Sequence, residues 1–455
     1  MPGDVTFQNL LGQSLNARDP FLAAACHPHA NCHDRRALES ILFATSKLKR
    51  QFAVARYTPA SILDSLAEGR DERISLRVAK HPSTAPATLA KMERTTTAQD
   101  LCARVAGHRN TLRGTLENLY RKHPNSAEIK RGLCNNPHTP LRLLRRLAAD
   151  AAPAELKGVA RNPEADAALL RLCWDRGDLY LQAEVAAHPK CAPDMRDLAE
   201  RSPHAIVRRK LAQNPALAGT VLMRLLGDSE AQVRATAVRN LSKSMIAGLD
   251  SGGRDPSSQV RRDQARHTGL PQSWIKRLAT DSDSWVRRLI ARNQTTSEEV
   301  LYSLADDAVM EVRRGVARNP VCPMELLLRL ARDPHPWVRA GVALRADVVE
   351  PLLIELARDK DIEVLSALGK NPNAPIEILD RVILHKDRDV RRAVILNENA
   401  PRRILCGLLE DPYPLNRVML AGHGNLRDED LLGLMHDPEP TVRFAAAHAL
   451  AVRSH

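Results

Sequence analysis

The stretch Val312-Arg-Arg-Gly-Val-Ala-Arg-Asn-Pro-Val-Cys-Pro323, followed by Leu330-Ala-Arg-Asp333, is one copy of a unit that recurs along the chain. Its Val-Arg pair returns at intervals of 26 residues or a multiple of 26, at Val260-Arg261, Val286-Arg287, Val338-Arg339, Val390-Arg391 and Val442-Arg443. Self-similarity at a fixed period is the signature of a repeat architecture. The repeated unit therefore determines the fold of most of the chain.

Each unit predicts two short helices joined by tight loops. Val286, Leu289 and Ile290 stand at i, i+3 and i+4, so they share one apolar face of a first helix. Asn319-Pro320 is expected to end such a helix, because the residue before proline is pushed out of the α region. The second proline, Pro323 in this copy, suits the first turn of a second helix. That helix carries a Leu-x-x-Leu-Ala stripe and stops at Asp.

Neither helix can bury its apolar stripe alone, so neighbouring units must stack. Weaker copies extend the pattern towards the N-terminus and give about sixteen units between residues 50 and 452. We expect residues 1–50 to be an N-terminal cap or a degenerate first repeat. Residues 51–455 are expected to be one continuous α-solenoid repeat array. Ser251-Gly252-Gly253, at a step of 27 residues, predicts a loop or mild hinge.

The composition fits an aromatic-poor helical protein. The 455 residues are 44% hydrophobic and 27% charged, which argues against general disorder. Aromatic residues make up 3%, too few for a module that stacks bases on aromatic side chains. The N-terminus does not read as a secretory signal, and no stretch approaches the ~20 apolar residues of a membrane span. Eight singly scattered cysteines are typical of a reducing compartment, so we expect a cytoplasmic protein without membrane association.

The repeat resembles the variant leucine-rich repeat family of bacteria, whose unit reads Val-Arg, Val-Ala, Asn-Pro, Pro, then Leu and Leu-Ala-Asp. The resemblance implies an all-α, right-handed α-solenoid of about sixteen two-helix repeats, and it allows one helix of each pair to be a 3₁₀-helix. The chain is also similar to HEAT repeats, which share an Asp and an Arg six residues apart. Some variant-repeat proteins carry an N-terminal iron–sulfur domain with clustered cysteines. Only Cys26 and Cys32 precede the repeats here, so no such cluster is expected.

In each unit, the arginine of the Val-Arg pair lies six residues after the Asp that closes the preceding unit. The HEAT resemblance implies a structural ladder in which each Arg bridges Asp groups of neighbouring units. Arginines engaged in this way are poor candidates for ligand binding. The predicted ladder residues are Asp281, Arg287, Asp307, Arg313, Asp333 and Arg339.

Two further positions of the unit hold arginine in several repeats, and we call each such set of arginines a column. The two columns share a helix face, because their members in one repeat are four residues apart. Residues 201–320 contain 20 Lys or Arg and 12 Asp or Glu, a net charge of +8 out of +13 for the whole chain. Two interpretations stay open: a basic groove for phosphates or an acidic protein surface, and a solvated face that keeps the array soluble. The candidate rows consist of Arg209, Arg239, Arg262, Arg266, Arg288, Arg292, Arg314 and Arg318.

One local cluster offers metal-ligand side chains. Cys26-His27-Pro28-His29-Ala30-Asn31-Cys32-His33 contains the ligand types that zinc prefers, although Cys-x5-Cys is not a standard finger spacing. The segment also resembles Val185-Ala186-Ala187-His188-Pro189, which favours a degenerate first repeat. We therefore expect no metal, with Cys26, His27, His29 and Cys32 as a weaker candidate site.

The sequence lacks the motifs of common enzyme classes, since it has no phosphate-binding loop, dinucleotide-binding glycines, nucleophile elbow or His-Glu-x-x-His motif. A solenoid offers a long binding surface, so function must be argued from its sites. We expect a non-enzymatic binding scaffold without a cofactor, whose partner is a protein. The alternatives are nucleic-acid or other polyanion binding at the level of the backbone through an Arg-lined groove, and a HEAT-like DNA-acting enzyme or an N-terminal metal-binding protein. The oligomeric state does not follow from the sequence.

Overall fold

The computed structural model describes residues 49–50, 53–54, 60–69, 71–247, 249 and 253–453. The predicted cap or degenerate first repeat over residues 1–50 therefore lies almost entirely outside the described residues. Within the described part of the chain, every regular element is an α-helix. This confirms the all-α prediction.

The described chain forms two compact units, one that ends at Asn240 and one that begins at Leu241. The N-terminal unit contains α1 (Ala60–Ala67), α2 (Glu72–Val78), α3 (Pro86–Thr95), α4 (Gln99–Gly107), α5 (Arg113–Lys122), α6 (Ala127–Asn135), α7 (Leu141–Ala149), α8 (Pro153–Arg161), α9 (Ala167–Arg176), α10 (Leu179–Ala187), α11 (Pro193–Glu200), α12 (Ala205–Ala212), α13 (Gly219–Leu225) and α14 (Ala231–Asn240). The C-terminal unit contains α15 (Lys243–Ala247), α16 (Ser258–Ala265), α17 (Gln272–Leu278), α18 (Ser284–Ala291), α19 (Glu298–Leu304), α20 (Met310–Ala317), α21 (Met324–Leu330), α22 (Pro336–Ala343), α23 (Glu350–Leu356), α24 (Ile362–Lys370), α25 (Ile376–Val382), α26 (Arg388–Ile395), α27 (Arg402–Cys406), α28 (Pro414–Ala421), α29 (Asp428–Leu434) and α30 (Pro440–Arg453). The predicted continuity of the array across residue 240 stays a prediction.

The helices alternate between two kinds. Even-numbered helices hold the position of the Val-Arg pair and are called first helices, whereas odd-numbered helices hold the leucine stripe and are called second helices. Within each unit, first helices pack on the first helices of the neighbouring repeats, and second helices pack against them from one side. The described helices give six complete pairs in the N-terminal unit, from α2–α3 to α12–α13, and seven in the C-terminal unit, from α16–α17 to α28–α29. The predicted solenoid of two-helix repeats is thus confirmed.

A thin layer of aliphatic side chains separates the first and second helices of each repeat. Val286, Val312 and Val338 are completely buried on the first helices. Leu301 and Leu304 of α19 close the layer from the other side. Burying one such side chain contributes about 1.5–3 kcal/mol. Because the layer is only one side chain thick on each side, valine, leucine and alanine fill it and few aromatic residues are needed.

The position of the second proline differs from the expectation. Pro140 and Pro323 are N-cap residues in extended conformation, with ψ of 144° and 147°, rather than residues of the first helical turn. The carbonyl of Pro323 still accepts the first helical hydrogen bond, from Leu327 at 3.0 Å. Proline fits because its fixed φ is shared by extended and helical backbone. Pro86 and Pro193, in contrast, occupy the first turns of the second helices α3 and α11.

Second helices are α-helical throughout the described repeats, although the family resemblance allows a 3₁₀-helix. Bonds from the N–H of residue i+3 to the carbonyl of residue i lie at the opening and closing turns, as from Trp274 to Pro271 at 2.9 Å. After α19, for example, Asp306 and Asp307 donate to Ser303 and Leu304 at 3.3 and 3.2 Å. This tightened turn brings the chain to the aspartate that precedes the next first helix.

Gly253 lies at the 27-residue step that the sequence singles out. Its φ of 77° is in the left-handed region, which glycine adopts without the penalty that a Cβ would impose. A Cβ here would also approach the side chain of Leu278 to 3.2 Å. The loop therefore requires glycine at this position, while the predicted hinge motion stays a prediction.

Candidate binding surface

The arginines of the Val-Arg pairs join each repeat to the next one. Nε and Nη2 of Arg287 donate to the two carboxylate oxygens of Asp307, at 2.6 and 3.0 Å. Nη1 donates to the backbone carbonyl of Asp281 at 2.7 Å, so the aspartate six residues earlier contributes its carbonyl rather than its carboxylate. Asp307 also accepts the N–H of Val309 at 2.9 Å, which fixes the loop before α20.

The same bidentate geometry recurs, and we call the set the Asp–Arg ladder. Its pairs are Arg208–Asp228 in the N-terminal unit, and Arg261–Asp281, Arg287–Asp307, Arg313–Asp333, Arg339–Asp359, Arg391–Asp411 and Arg417–Asp437 in the C-terminal unit. The side chains of Arg313 and Asp333 are only 14% and 6% exposed. Leu365 takes the place of an arginine and interrupts the series. The ladder arginines thus have their donors engaged inside the protein.

The ladder also sets the charge of its carboxylates. For Asp307, burial by itself would raise the pKa, but hydrogen bonds from Arg287 and from the Val309 N–H outweigh it and the pKa is lowered. For Asp437, the hydrogen bond from Arg417 is the largest influence and the pKa is again lowered. These carboxylates are therefore ionised at neutral pH, and the ladder consists of charge-assisted hydrogen bonds.

A column of buried amides forms a second connection between repeats, and the sequence reasoning missed it. Nδ2 of Asn319 donates to the carbonyls of Ala291 and Asn293 in the preceding repeat, at 2.8 and 3.0 Å. Its Oδ1 accepts the N–H of Val321 at 3.0 Å. Equivalent pairs of bonds are made by Asn136, Asn162, Asn214 and Asn371. The signal was the recurrence of Asn before proline, because a helix break alone does not require an amide side chain.

Two arginines of the predicted basic rows have acidic partners. Nε of Arg262 donates to Asp283 at 2.6 Å, and Asp283 is the N-cap of α18. Nη1 of Arg266 donates to the buried carboxylate of Asp263 at 2.6 Å. The positive charge of both side chains is therefore compensated within the repeat stack.

The two row members in the N-terminal unit each donate a hydrogen bond to an uncharged side chain. Nη1 of Arg209 donates to the side-chain oxygen of Gln232 at 2.7 Å. Nη2 of Arg239 donates to the hydroxyl of Thr236 at 2.9 Å. These two arginines belong to a different compact unit from the other six, so they are described separately.

The other four row members gather on two neighbouring first helices, α18 and α20, beside two tryptophans. The guanidinium of Arg288 lies 4.9 Å from the ring centre of Trp285, and that of Arg314 lies 4.6 Å from the ring centre of Trp337 on α22. None of the four guanidinium groups forms a hydrogen bond or an ion pair with any residue that the structure describes. We call this surface the arginine patch; it consists of Arg288, Arg292, Arg314, Arg318, Trp285 and Trp337.

Arg314 is at the centre of the patch. Its pKa is lowered, first because it is partly buried and second because Arg318, Arg288 and Arg292 repel its charge, whereas Glu311 acts in the opposite direction. Its Nε is buried without a hydrogen-bond partner. The patch therefore concentrates like charge and leaves donor capacity unused, which costs folding free energy.

Glycines bring the helices of the patch close together. A Cβ on Gly315 would lie 2.9 Å from Cβ of Ala291 and 3.4 Å from Cγ of Arg292. A Cβ on Gly341 would lie 3.4 Å from Cγ of Arg314. The arginine stems thus lean across the next first helix, and the two indole rings are 54% and 39% exposed.

In the N-terminal unit, the first helices α2, α4 and α6 line a groove of about 850 Å³. Its cationic side chains are Lys80, Arg104, Arg109 and Arg131, and its acidic ones are Asp100 and Glu128. A surface recess in this unit is thus also formed by first helices.

Four buried cysteines have thiols that remain protonated at neutral pH. Burial raises the pKa of Cys134 to about 12 and the pKa values of Cys173, Cys191 and Cys322 to about 11, so these thiols are protonated at neutral pH. In the described residues, no group of three or more His, Cys, Asp or Glu side chains is placed to hold a metal ion. The weaker metal candidate of Cys26, His27, His29 and Cys32 lies outside the described residues. None of the helices that the structure describes combines the length and apolar character of a membrane span.

Comparison with known proteins agrees with the repeat pattern. Residues 310–335, which run from α20 to the loop before α22, match the family described as leucine rich repeat variant. This match confirms the resemblance indicated by the 26-residue unit. A search of curated proteins finds no match.

Structures that this chain matches in part include a leucine-rich repeat variant with a novel repetitive protein structural motif. It is 25% identical and has a TM-score of 0.32, and the match covers 55% of this chain and 87% of that chain. A homology model of the full-length AP-3 complex in an intermediate open conformation is 12% identical with a TM-score of 0.20, covering 98% and 88% of the two chains. A crystal structure of importin beta in an ammonium sulfate condition is 13% identical with a TM-score of 0.16, covering 98% and 50%.

Proposed function

We propose that the protein is a non-enzymatic scaffold that binds a protein partner on its first-helix face. The observation that carries the proposal is the contrast between two sets of arginines in the same repeats. Arg287 and Arg313 of the Asp–Arg ladder have donors engaged by carboxylates and carbonyls. Their sequence neighbours Arg288 and Arg314 belong to the arginine patch and form no hydrogen bond or ion pair with an acidic side chain of the described residues. The ladder supports the fold, and the patch is available to a partner.

The composition of the patch also supports a protein partner. Arginine and tryptophan are the residue types that most often dominate the binding energy of protein interfaces. Solenoid repeats align such side chains on successive helices, which extends the binding surface. As part of this proposal the protein acts in the cytoplasm, where buried single thiols stay reduced.

The proposal of a scaffold rather than an enzyme rests on how the acidic residues are used. The aspartates that close the repeats are paired with ladder arginines, as in Arg339–Asp359. Their pKa values are lowered, so they are not proton donors at neutral pH.

Site-specific photo-crosslinking tests the proposal. A photoreactive phenylalanine derivative replaces Trp337 in the patch, and in a control protein it replaces Leu328, which is similarly exposed but lies on the second helix α21. We expect discrete protein adducts from native cell extract at position 337 that survive nuclease treatment, and few at position 328. Equal labelling at both positions, or adducts that nuclease removes, would contradict a protein-binding first-helix face.

A further inference from the structure

The outline of the arginine patch limits what can bind there. On α16, the corresponding arginines Arg262 and Arg266 are compensated by Asp283 and Asp263. On α22, the corresponding positions hold Ala340 and Leu344. Between α16 and α22, uncompensated charge in these columns is therefore confined to α18 and α20, which pack roughly 10 Å apart. A nucleic-acid duplex needs a longer track of phosphate contacts for tight binding, whereas a short peptide segment does not.

Two of the four arginines lie over aromatic rings. The guanidinium carbons of Arg288 and Arg314 are 4.9 and 4.6 Å from the ring centres of Trp285 and Trp337. Cation–π stacking contributes about 0.5–1 kcal/mol at exposed sites. The N–H groups stay in the guanidinium plane, where they form the planar fork that binds a carboxylate through two hydrogen bonds.

The patch also has apolar area, and its net charge is modest. The two indole rings are half-exposed next to the cations, so they offer contact area to aliphatic or aromatic side chains. Glu311 stands in the same repeat column as the two tryptophans and lies on the helix between them. Four arginines and one glutamate give a net charge of +3, which matches a ligand with a few carboxylates better than a densely charged polyanion.

We infer that the arginine patch binds a short acidic segment of a protein partner, in which Glu or Asp side chains alternate with apolar ones. The inference rests on the proposed function and names the class of partner. Carboxylates of the segment accept hydrogen bonds from the stacked Arg288 and Arg314. The exposed Arg292 and Arg318 attract the segment over a longer range. Apolar side chains of the segment pack on Trp285 and Trp337.

Fluorescence anisotropy with the full-length protein tests the inference. The probe is a labelled peptide of alternating glutamate and leucine; the comparison ligands are its glutamine–leucine counterpart and a single-stranded oligonucleotide of equal charge. We expect the acidic peptide to bind at least about tenfold more tightly than either comparison ligand, a difference of about 1.4 kcal/mol. Equal binding of the glutamine peptide would overturn the role of the carboxylates. Tighter binding of the oligonucleotide would assign the patch to nucleic acid instead.

Variants inside and outside the arginine patch test whether the acidic peptide binds at the patch. Arg288→Gln and Arg314→Gln should each lower the affinity for the acidic peptide about tenfold. Arg329→Gln, which removes the same charge from α21, should leave the affinity unchanged. Arg314→Lys keeps the charge but loses the planar fork, so its affinity should be intermediate. Circular dichroism checks that each variant is folded. An equal loss of affinity for the acidic peptide in Arg329→Gln and Arg314→Gln would overturn the assignment of the binding site to the arginine patch.

Failure of the inference and failure of the proposed function are distinguishable. If position 337 crosslinks to protein but the acidic peptide does not bind, the acidic-segment inference is wrong and the scaffold proposal stands. If neither experiment gives binding at the patch, both are wrong.

Discussion

Asn319 illustrates how a single side chain connects one repeat to the next. It is fully buried, and its amide satisfies two carbonyls of the preceding repeat as well as one N–H of its own loop. A buried carbonyl without a donor costs about 1–3 kcal/mol, so this residue contributes through the groups it satisfies. The sequence predicted that the helix ends here, because proline follows. It could not predict the hydrogen bonds, because these depend on where the previous repeat places its carbonyls.

Replacing this amide should destabilise the fold. For Asn319→Ala we expect a loss of about 2–4 kcal/mol in the free energy of unfolding, measured by chemical denaturation, because buried carbonyls lose their donor. Gln294→Ala, which shortens an exposed amide nearby, should change the free energy of unfolding by less than about 0.5 kcal/mol.

A histidine variant tests the geometry of the column. His188 occupies the equivalent position, with Nε2 at 3.0 Å from the carbonyl of Asn162 and Nδ1 accepting an N–H at 3.1 Å. Asn319→His should therefore keep two of the three hydrogen bonds and be more stable than Asn319→Ala. Equal stability of the two variants would show that the hydrogen bonds contribute little.

At the scale of the element, first helices pack closely because small residues face one another. Gly315 of α20 faces Ala291 of α18, and the repeat pattern predicted a buried first-helix stripe without indicating how near the helices come. The leucine stripe of the second helices was predictable from its period alone. Close approach depends on which residues lack side chains on the facing surface, and that surface is known only after the helices are placed.

The same substitution at two glycines should have opposite effects. Gly315→Ala places a Cβ 2.9 Å from Cβ of Ala291, so we expect a loss of about 1–3 kcal/mol from overpacking. Gly433→Ala in α29 meets nothing within 4 Å and should gain about 0.5–1 kcal/mol from better helix propensity. Thermal unfolding of both variants measures the difference, and a stabilised Gly315→Ala would contradict the close approach of α18 and α20.

The Asp–Arg ladder predicts acid-sensitive stability. The pKa of Asp307 is lower in the folded protein than in the unfolded chain, so the unfolded state binds more protons as pH falls. The contribution of the ionised Asp307 to the free energy of unfolding is fully present above the pKa of about 3.9 in the unfolded chain. It is lost as the pH falls through the lower pKa of the folded protein. We expect the free energy of unfolding to decrease steeply below about pH 4, measured by urea denaturation across pH.

A charge-removing variant identifies the ladder as the cause. Asp307→Asn removes the carboxylate that pairs with the nearly buried Arg287. The free energy of unfolding should therefore fall by about 3–5 kcal/mol at neutral pH. The difference in the free energy of unfolding between the variant and the unaltered protein should become smaller below about pH 4, because the carboxylate of Asp307 then becomes protonated and loses its charge. A constant difference across this range would mean that Asp307 does not titrate with a lowered pKa.

At the scale of the whole molecule, the sequence predicted the repeated helices and the arginine columns, but it could not separate the members of a column. Arg262 and Arg288 occupy equivalent positions, yet Asp283 compensates the first and Trp285 stacks on the second. Asp283 belongs to the repeat after Arg262, and the corresponding residue after Arg288 is Val309, so this difference arises only when repeats stack; Trp285 lies on the same helix as Arg288. The structure thus narrows eight candidate arginines to the four of the arginine patch. We propose that these four are available to a partner, whereas the ladder arginines are not.

Arginine footprinting with a dicarbonyl reagent, followed by peptide mass spectrometry, tests this claim most directly. We predict fast modification of Arg292 and Arg318, protection of Arg287 and Arg313, and slower modification of the patch arginines when the glutamate–leucine peptide is added. Arg329 should react at the same rate with and without the peptide. Equal reactivity of ladder and patch arginines, or patch arginines that the peptide does not protect, would contradict the account.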